Sequence, residues 1–317
     1  MGTLIYSIRK LIYSAPLLFG VTFIAFVLMV YFGPDQTYTS IGKYATKTEI
    51  ENARHVLGYD RPFIVRYGQY VKEVATFDFG RSNSSGEKVT EILRKTVPVT
   101  MKAILPGFFL SIIVAIGLAF LSAVYRGRLL DRFIVMFSAV GMSISYVIVL
   151  IGFQAIFCTS AGLDLFPVQG WSDETFSDYL RYITVPTLAE IFVQLGYSVR
   201  FARAIFVEEM EKDHIRTARA YGCSQFELMF KHVLRNSMIP IVTRIILSLP
   251  LVVISGSLLI ESFFGIPGAG YVTFSAMMSG DLPVVKAVVA CTSIMYIGAL
   301  LLVDISYTLI DPRISLK

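Results

Sequence analysis

The run from Ala103 to Leu163 decides the fold: AILPGFFLSIIVAIGLAFLSAVY over 103–125, RGRLLDR over 126–132 and FIVMFSAVGMSISYVIVLIGFQAIFCTSAGL over 133–163. Two uncharged runs of 23 and 31 residues flank a loop with three arginines and one aspartate. A hydrocarbon core about 30 Å thick takes roughly 20 helical residues, so each run is long enough to cross it, the second with an interfacial turn to spare. Short arginine-rich loops stay on the cytoplasmic side, which fixes the direction of both crossings.

The same reading extends to both ends. Leu11 to Phe32 has no charge and follows Arg9 and Lys10, giving a first span that enters from the cytoplasm. It exceeds the about 7–15 apolar residues of a signal peptide and is expected to be retained. The loop from Asp164 to Arg181 is acidic, as an external loop can be. Tyr182–Val199, containing Glu190, is a fourth span; Arg244–Glu261, around Pro250, is a fifth; a sixth starts at Ala287 and runs to about Ile310. Six spans put both termini in the cytoplasm, together with the basic loop between the fourth and fifth.

Composition agrees with a membrane protein: 317 residues, 55% hydrophobic and 16% charged, with a mean hydropathy of +0.66. These values exclude a disordered chain, and a net charge of +5 is too modest and scattered for a nucleic-acid binder. Cys158, Cys223 and Cys291 are far apart and form neither a disulfide framework nor a zinc site. His55, His214 and His232 fall in separate places without an H-E-x-x-H, and Gly141-Met-Ser-Ile-Ser145 lacks the second glycine of a nucleophile elbow, so hydrolase chemistry has no support.

The fold class is therefore all-α and polytopic: residues 1–32 hold the N-terminus and first span, 33–98 an external helical insertion, 99–310 a five-helix membrane domain, and 311–317 a cytoplasmic tail. In the insertion, Thr48-Glu-Ile-Glu51 forms a capping box for a helix through Ile50, Ala53 and Leu57 that ends at Gly58. A second helix runs from Pro62 with Phe63, Tyr67, Tyr70, Val71 and Val74 as its apolar stripe, stopped by Asp78-Phe-Gly-Arg81.

The cytoplasmic loop 204–240 is too elaborate for a connector. Ile215 to Tyr221 forms a short helix ended by Gly222, which tolerates a left-handed backbone. Ser224-Gln-Phe-Glu227 is a capping box that opens a second helix with Phe226, Met229, Phe230 and Val233 on one side. Such a helix-glycine-helix unit presents a compact knob to a groove on another protein.

Asp213-His-Ile-Arg-Thr-Ala-Arg-Ala-Tyr-Gly222, followed by His232-Val-Leu-Arg-Asn236 and Pro240, resembles the EAA loop of ABC importer permeases in the form typical of the dipeptide, oligopeptide and nickel permease family. Leu57-Gly-Tyr-Asp-Arg-Pro-Phe63, Phe79-Gly-Arg-Ser82, Phe166-Pro-Val-Gln-Gly170, Glu261-Ser-Phe-Phe-Gly-Ile-Pro-Gly268, Asp281-Leu-Pro-Val-Val285 and Asp311-Pro-Arg313 resemble further blocks of that family, in order. The resemblance implies a permease of the bacterial inner membrane that pairs with a second homologous permease, two cytoplasmic ATPases and a periplasmic solute-binding protein. It implies that His214, Ile215, Arg216, Thr217, Ala218, Arg219, Ala220, Tyr221 and Gly222 form the coupling helix, with Ala218, Ala220 and Gly222 at its small positions. The chain has no G-x-x-x-x-G-K-[ST], so it binds no nucleotide cofactor, and ATP and Mg belong to partners. Three positions depart from the family: Tyr221 where lysine is usual, Ser145 where proline is frequent, and Glu190 in a usually apolar region.

A carboxylate at membrane depth costs several kcal/mol unless it faces protein, water or an opposite charge. Glu190 and Gln194, four apart, share a helix face that could line the translocation path, or make an interhelical contact. Ser255 and Ser257 suit either close helix packing or the path. Arg244 and Asp304 read as snorkelling or paired ends. Peptides are the expected solute, since no His or Cys cluster in the spans makes a nickel site; nickel or another small solute carried by the same architecture is the alternative. An ion-coupled secondary transporter is the rival reading, weakened by the lack of an inverted repeat.

Overall fold

In a computed structural model the described residues are 2–32 and 60–310, with isolated positions between them. Most of the capping-box helix expected at 48–58 lies outside the described residues, as do the tail 311–317 and the side chains of most residues before Leu18. The elements are helical: α1 (Gly2–Phe32), α2 (Phe63–Thr76), α3 (Val89–Val124), α4 (Leu129–Ser143), α5 (Tyr146–Cys158), α6 (Phe176–Met210), α7 (Asp213–Ala220), α8 (Gln225–Phe264), α9 (Ala269–Ser279) and α10 (Leu282–Ile310). An isolated antiparallel bridge, Arg81 to Lys88, closes the turn between α2 and α3.

Apolar runs become helices here because a helix satisfies its own backbone where no water can. Hydroxyls inside these helices follow the same logic. Thr22, Ser138, Thr184, Thr243, Ser262, Thr273 and Thr292 each donate to the carbonyl four residues earlier at 2.6–2.8 Å.

Among the described residues α3, α8 and Leu282–Tyr307 of α10 are long and apolar enough to cross a membrane. The apolar stretch of α1, Leu18–Tyr31, is shorter, and α6 has the length, 35 residues, with Glu190 interrupting its uncharged core. The 31-residue run expected as one span does not make one straight helix. It divides into α4 and α5, bent by 102°, because Ile144 and Ser145 are extended. Proline is absent at this break, and the pair counts as one candidate span only if taken together.

A second difference concerns α8. The second loop helix and the fifth span are a single 40-residue helix that passes through Pro240 and Pro250 and contains π-helical turns at Leu228–Leu234 and Val252–Gly256. Loop and membrane are thus joined by one rod about 60 Å long at 1.5 Å per residue.

The helices close around three apolar clusters. One gathers Ala115, Ala119, Val199, Ala202 and Phe206 from α3 and α6 with Ile215, Met229 and Val233 from the loop. Another joins Ile104, Leu150, Ile183, Ala189, Ile260 and Phe264. The third seats α2 on α1 and α10, with Tyr70 stacked on Phe26 at 5.6 Å. Close crossings use glycine: a Cβ at Gly196 on α6 would lie 2.9 Å from the Ser138 carbonyl on α4.

Candidate functional site

The knob is built by chain chemistry at both ends of α7. Asp213 lies in its first turn and Arg219 in its last, each complementing the helix dipole. At its end Gly222 has φ +87°, its N–H donates to the Arg219 carbonyl at 3.0 Å, and the Cys223 N–H donates to the Ala218 carbonyl at 3.3 Å. These two bonds are the Schellman pattern, which needs a left-handed residue at Gly222. Ser224 Oγ then accepts from the Glu227 N–H at 3.2 Å and opens α8.

Two faces of α7 separate. Ile215 is buried at 1% exposure, and Ala218 packs beside it against the cluster of Phe206, Leu228, Met229 and Val233. Arg216, Thr217, Ala220 and Tyr221 face outward, Tyr221 at 86% exposure. Beyond the glycine, Phe226 and Phe230 are exposed and stacked with centroids 6.3 Å apart, and Phe120 of α3 meets Phe226 edge-on at 5.6 Å. The knob therefore carries an apolar step beside a charged one.

Polar contacts fix its angle. The buried carboxylate of Glu209, at the end of α6, receives Lys212 at 2.5 Å and lies 3.2 Å from His214 Nε2, which also lies 3.0 Å from the Asn236 amide on α8. Hydrogen bonding to Glu209 raises the Lys212 pKa. His214 thus joins α6, α7 and α8 at one point.

A second anchor escaped the sequence reading. Arg203 on α6 grips Asp131 on α4 with Nε and Nη2 each at 2.8 Å. Ser122 of α3 donates to the same carboxylate, and the Gly127 N–H adds a bond at 2.9 Å. This bidentate pair, with Asp131 buried, ties the short arginine loop to three helices. The only available signal was a lone aspartate among three arginines.

In the membrane interior the expected path residues part company. Glu190 is 2% exposed and wedged against α3: a Cβ on Gly107 would overlap its Oε2, and neither carboxylate oxygen has a hydrogen-bond partner among the described residues. Gln194, one turn on, lines a cleft between α3, α6 and α8. Ser257 is buried under Gly270 and donates to the Ile254 carbonyl at 3.1 Å, a packing contact. The side chain of Ser255 lies outside the described residues. Arg244, read as a snorkelling or paired end, lines the Gln194 cleft and sits 4.4 Å over the Phe201 ring.

On the opposite end the family-like blocks form two latches. Asp281, 1% exposed, accepts from Ser82 Oγ at 2.5 Å, Ser84 Oγ at 2.7 Å and the N–H groups of Asn83 and Ser84. Burial pushes its carboxyl up, but these hydrogen bonds outweigh it and the pKa is lowered. Glu261, fully buried, accepts the Tyr271 N–H at 2.9 Å, and Gly268 leaves room for its carboxylate.

Comparison with known proteins matches these parts to one family. Residues 111–316 match the model for the binding-protein-dependent transport system inner membrane component, and residues 3–103 match the N-terminal model of the same component. A probable peptide ABC transporter permease, y4tP, of Sinorhizobium fredii is 30% identical over 98% of this chain and 99% of its own length. The dipeptide transport system permease DppB of Bacillus subtilis is 29% identical over 98% of each chain. A probable D,D-dipeptide transport system permease, DdpB, of Escherichia coli is 30% identical over 93% of each. The chain belongs to the family of binding-protein-dependent transport system inner-membrane components, and is a multi-pass permease subunit of an ABC importer.

Proposed function

We propose that this chain forms half of the translocation path of an ATP-driven importer of di- or oligopeptides, with a second homologous permease as the other half. Two cytoplasmic ATPases supply ATP and Mg chemistry, and a periplasmic binding protein delivers the solute. Its six spans leave both termini in the cytoplasm and the insertion 33–98 outside. The relatives named for peptide and dipeptide transport support the solute class.

The observation that carries the coupling role is mechanical. His214 to Gly222 form a knob whose inward face is buried on the same continuous helix that runs on as a membrane span. Nucleotide binding that draws the ATPases together would move this knob, and α8 with the Arg203–Asp131 anchor would carry the motion to α3, α4 and α6. Outward-facing Arg216, Ala220, Tyr221, Phe226 and Phe230 supply the docking surface, while Ile215 and Ala218 seat the knob.

A photo-crosslinking residue in place of Tyr221 tests this in the purified complex. Crosslinks from this position to a co-purifying ATPase, lost when Phe226 and Phe230 are changed to Asp, are the expected result. Absence of any ATPase crosslink, with flux following a proton gradient, would favour the ion-coupled transporter instead.

A further inference from the structure

Arg244 stands on α8 where the expected fifth span, Arg244–Glu261, begins. The cleft it lines also includes Ser111 and Ala115, at the centre of the uncharged run 103–125 of α3. No carboxylate lies within ion-pair distance of Arg244 among the described residues; its contact is the Phe201 ring. Charged residues within membrane helices almost always face the bundle interior or a water-filled cavity. Two further polar groups share the cleft without a hydrogen-bond partner among the described residues, the Gln194 amide and the Ser198 hydroxyl.

Their placement follows from helix geometry. Gln194, Ser198 and Phe201 recur at i, i+4 and i+7 on α6, and Ile241, Arg244, Ile245 and Ser248 at i, i+3, i+4 and i+7 on α8, so each set occupies one face. The donors that these faces bring together are a guanidinium, an amide and a hydroxyl, with no acid among the residues lining the cleft. A guanidinium presents two parallel N–H groups that match a carboxylate, and the amide and hydroxyl can donate to its remaining lone pairs.

We infer that this cleft is a transient station for the C-terminal carboxylate of the transported peptide, with Arg244 as the cation and Gln194 and Ser198 as neutral donors. The inference rests on the peptide-importer reading above and adds the group of the solute that the membrane subunit recognises. Every unmodified linear peptide has that carboxylate whatever its side chains, so a single fixed cation serves many sequences. The cation–π contact with Phe201 holds the guanidinium while the station is empty. A carboxylate site that also has to release its ligand needs few donors, as here.

The test uses the full complex in proteoliposomes, with the binding protein saturated with labelled trialanine. Arg244→Gln should cut ATP-driven uptake by about 10-fold, while Arg244→Lys keeps at least about a third and ATPase activity stimulated by the loaded binding protein stays within about twofold. In a chain with Cys158, Cys223 and Cys291 changed to Ala, Arg244→Cys should regain uptake after an aminoethyl thiosulfonate adduct and not after a sulfonatoethyl one. Uptake by Arg244→Gln equal to the parent, or rescue by both adducts, would overturn the inference. So would loss of the second permease from the purified complex, which would assign the cation to a carboxylate of that subunit. A parent complex without ATP-dependent uptake would sink the importer reading itself, and this station with it.

Discussion

Gly222 makes a quantitative case, because its role is backbone alone. Its φ is +87°, and a Cβ there would meet nothing within 4 Å. Gly222→Ala therefore adds no clash and costs only the left-handed penalty, about 1–2 kcal/mol. Gly222→Asn, a residue that visits this region more readily, should cost less. Gly222→Pro removes the N–H that bonds the Arg219 carbonyl and demands a φ near −65°, so the cost is about 3 kcal/mol or more. An eight-residue helix has little stability of its own, so the penalty falls on docking of α7 against α8. One to two kcal/mol changes the docked-to-undocked ratio about 5- to 30-fold. Hydrogen exchange at the amides of positions 222 and 223 reads it directly: the alanine variant should lose protection within that range and the asparagine variant less. In Gly222→Pro the Cys223 amide should be unprotected. Peptide transported per ATP hydrolysed should fall in the same order. Equal protection in the alanine variant and the parent, or asparagine as damaging as alanine, would refute the argument from φ.

Asp131→Asn should leave Arg203 without its counter-charge and destabilise the complex by about 3–5 kcal/mol, whereas Asp131→Leu with Arg203→Met should recover most of the loss in a thermal unfolding assay. Gly107→Ala should force the Glu190 carboxyl to move, at about 1–3 kcal/mol, and Glu190→Ala in the same chain should restore the melting temperature. Folding lowers the Asp281 pKa, so its latch on Ser82 and Ser84 contributes fully above the ordinary value of 3.8 and is lost as pH falls toward the folded value. Limited proteolysis at 80–88 should then increase on acidification below that value in the parent, while Asp281→Asn should be cut more readily already at neutral pH and change little with acid.

How much of this was legible in the sequence depends on the range of the signal. The α7–glycine–α8 unit was readable because its signals are local: Gly222 and the Ser224 capping box act within a few residues. The apolar run 133–163 announced burial in the membrane with an interfacial turn to spare, but with no proline to mark it the 102° bend at Ile144 and Ser145 was not placed. The reverse happened in α8, where a loop helix and a fifth span were expected as separate elements and one helix continued through π turns. Asp131 and Arg203 are 72 residues apart, and Ser82 and Asp281 are 199 apart, so only the packed structure brings each pair together. Glu190 and Gln194 were correctly placed on one helix, yet whether such a face meets a cleft or a neighbouring glycine is decided by α3.

The most direct test of the central claim is uptake of labelled di- and oligopeptides into proteoliposomes holding this chain with its co-purifying permease and ATPase partners, with and without the binding protein. Uptake that requires both ATP and the binding protein is the predicted result. Uptake that ignores ATP and follows a proton gradient, with no ATPase co-purifying, would contradict it.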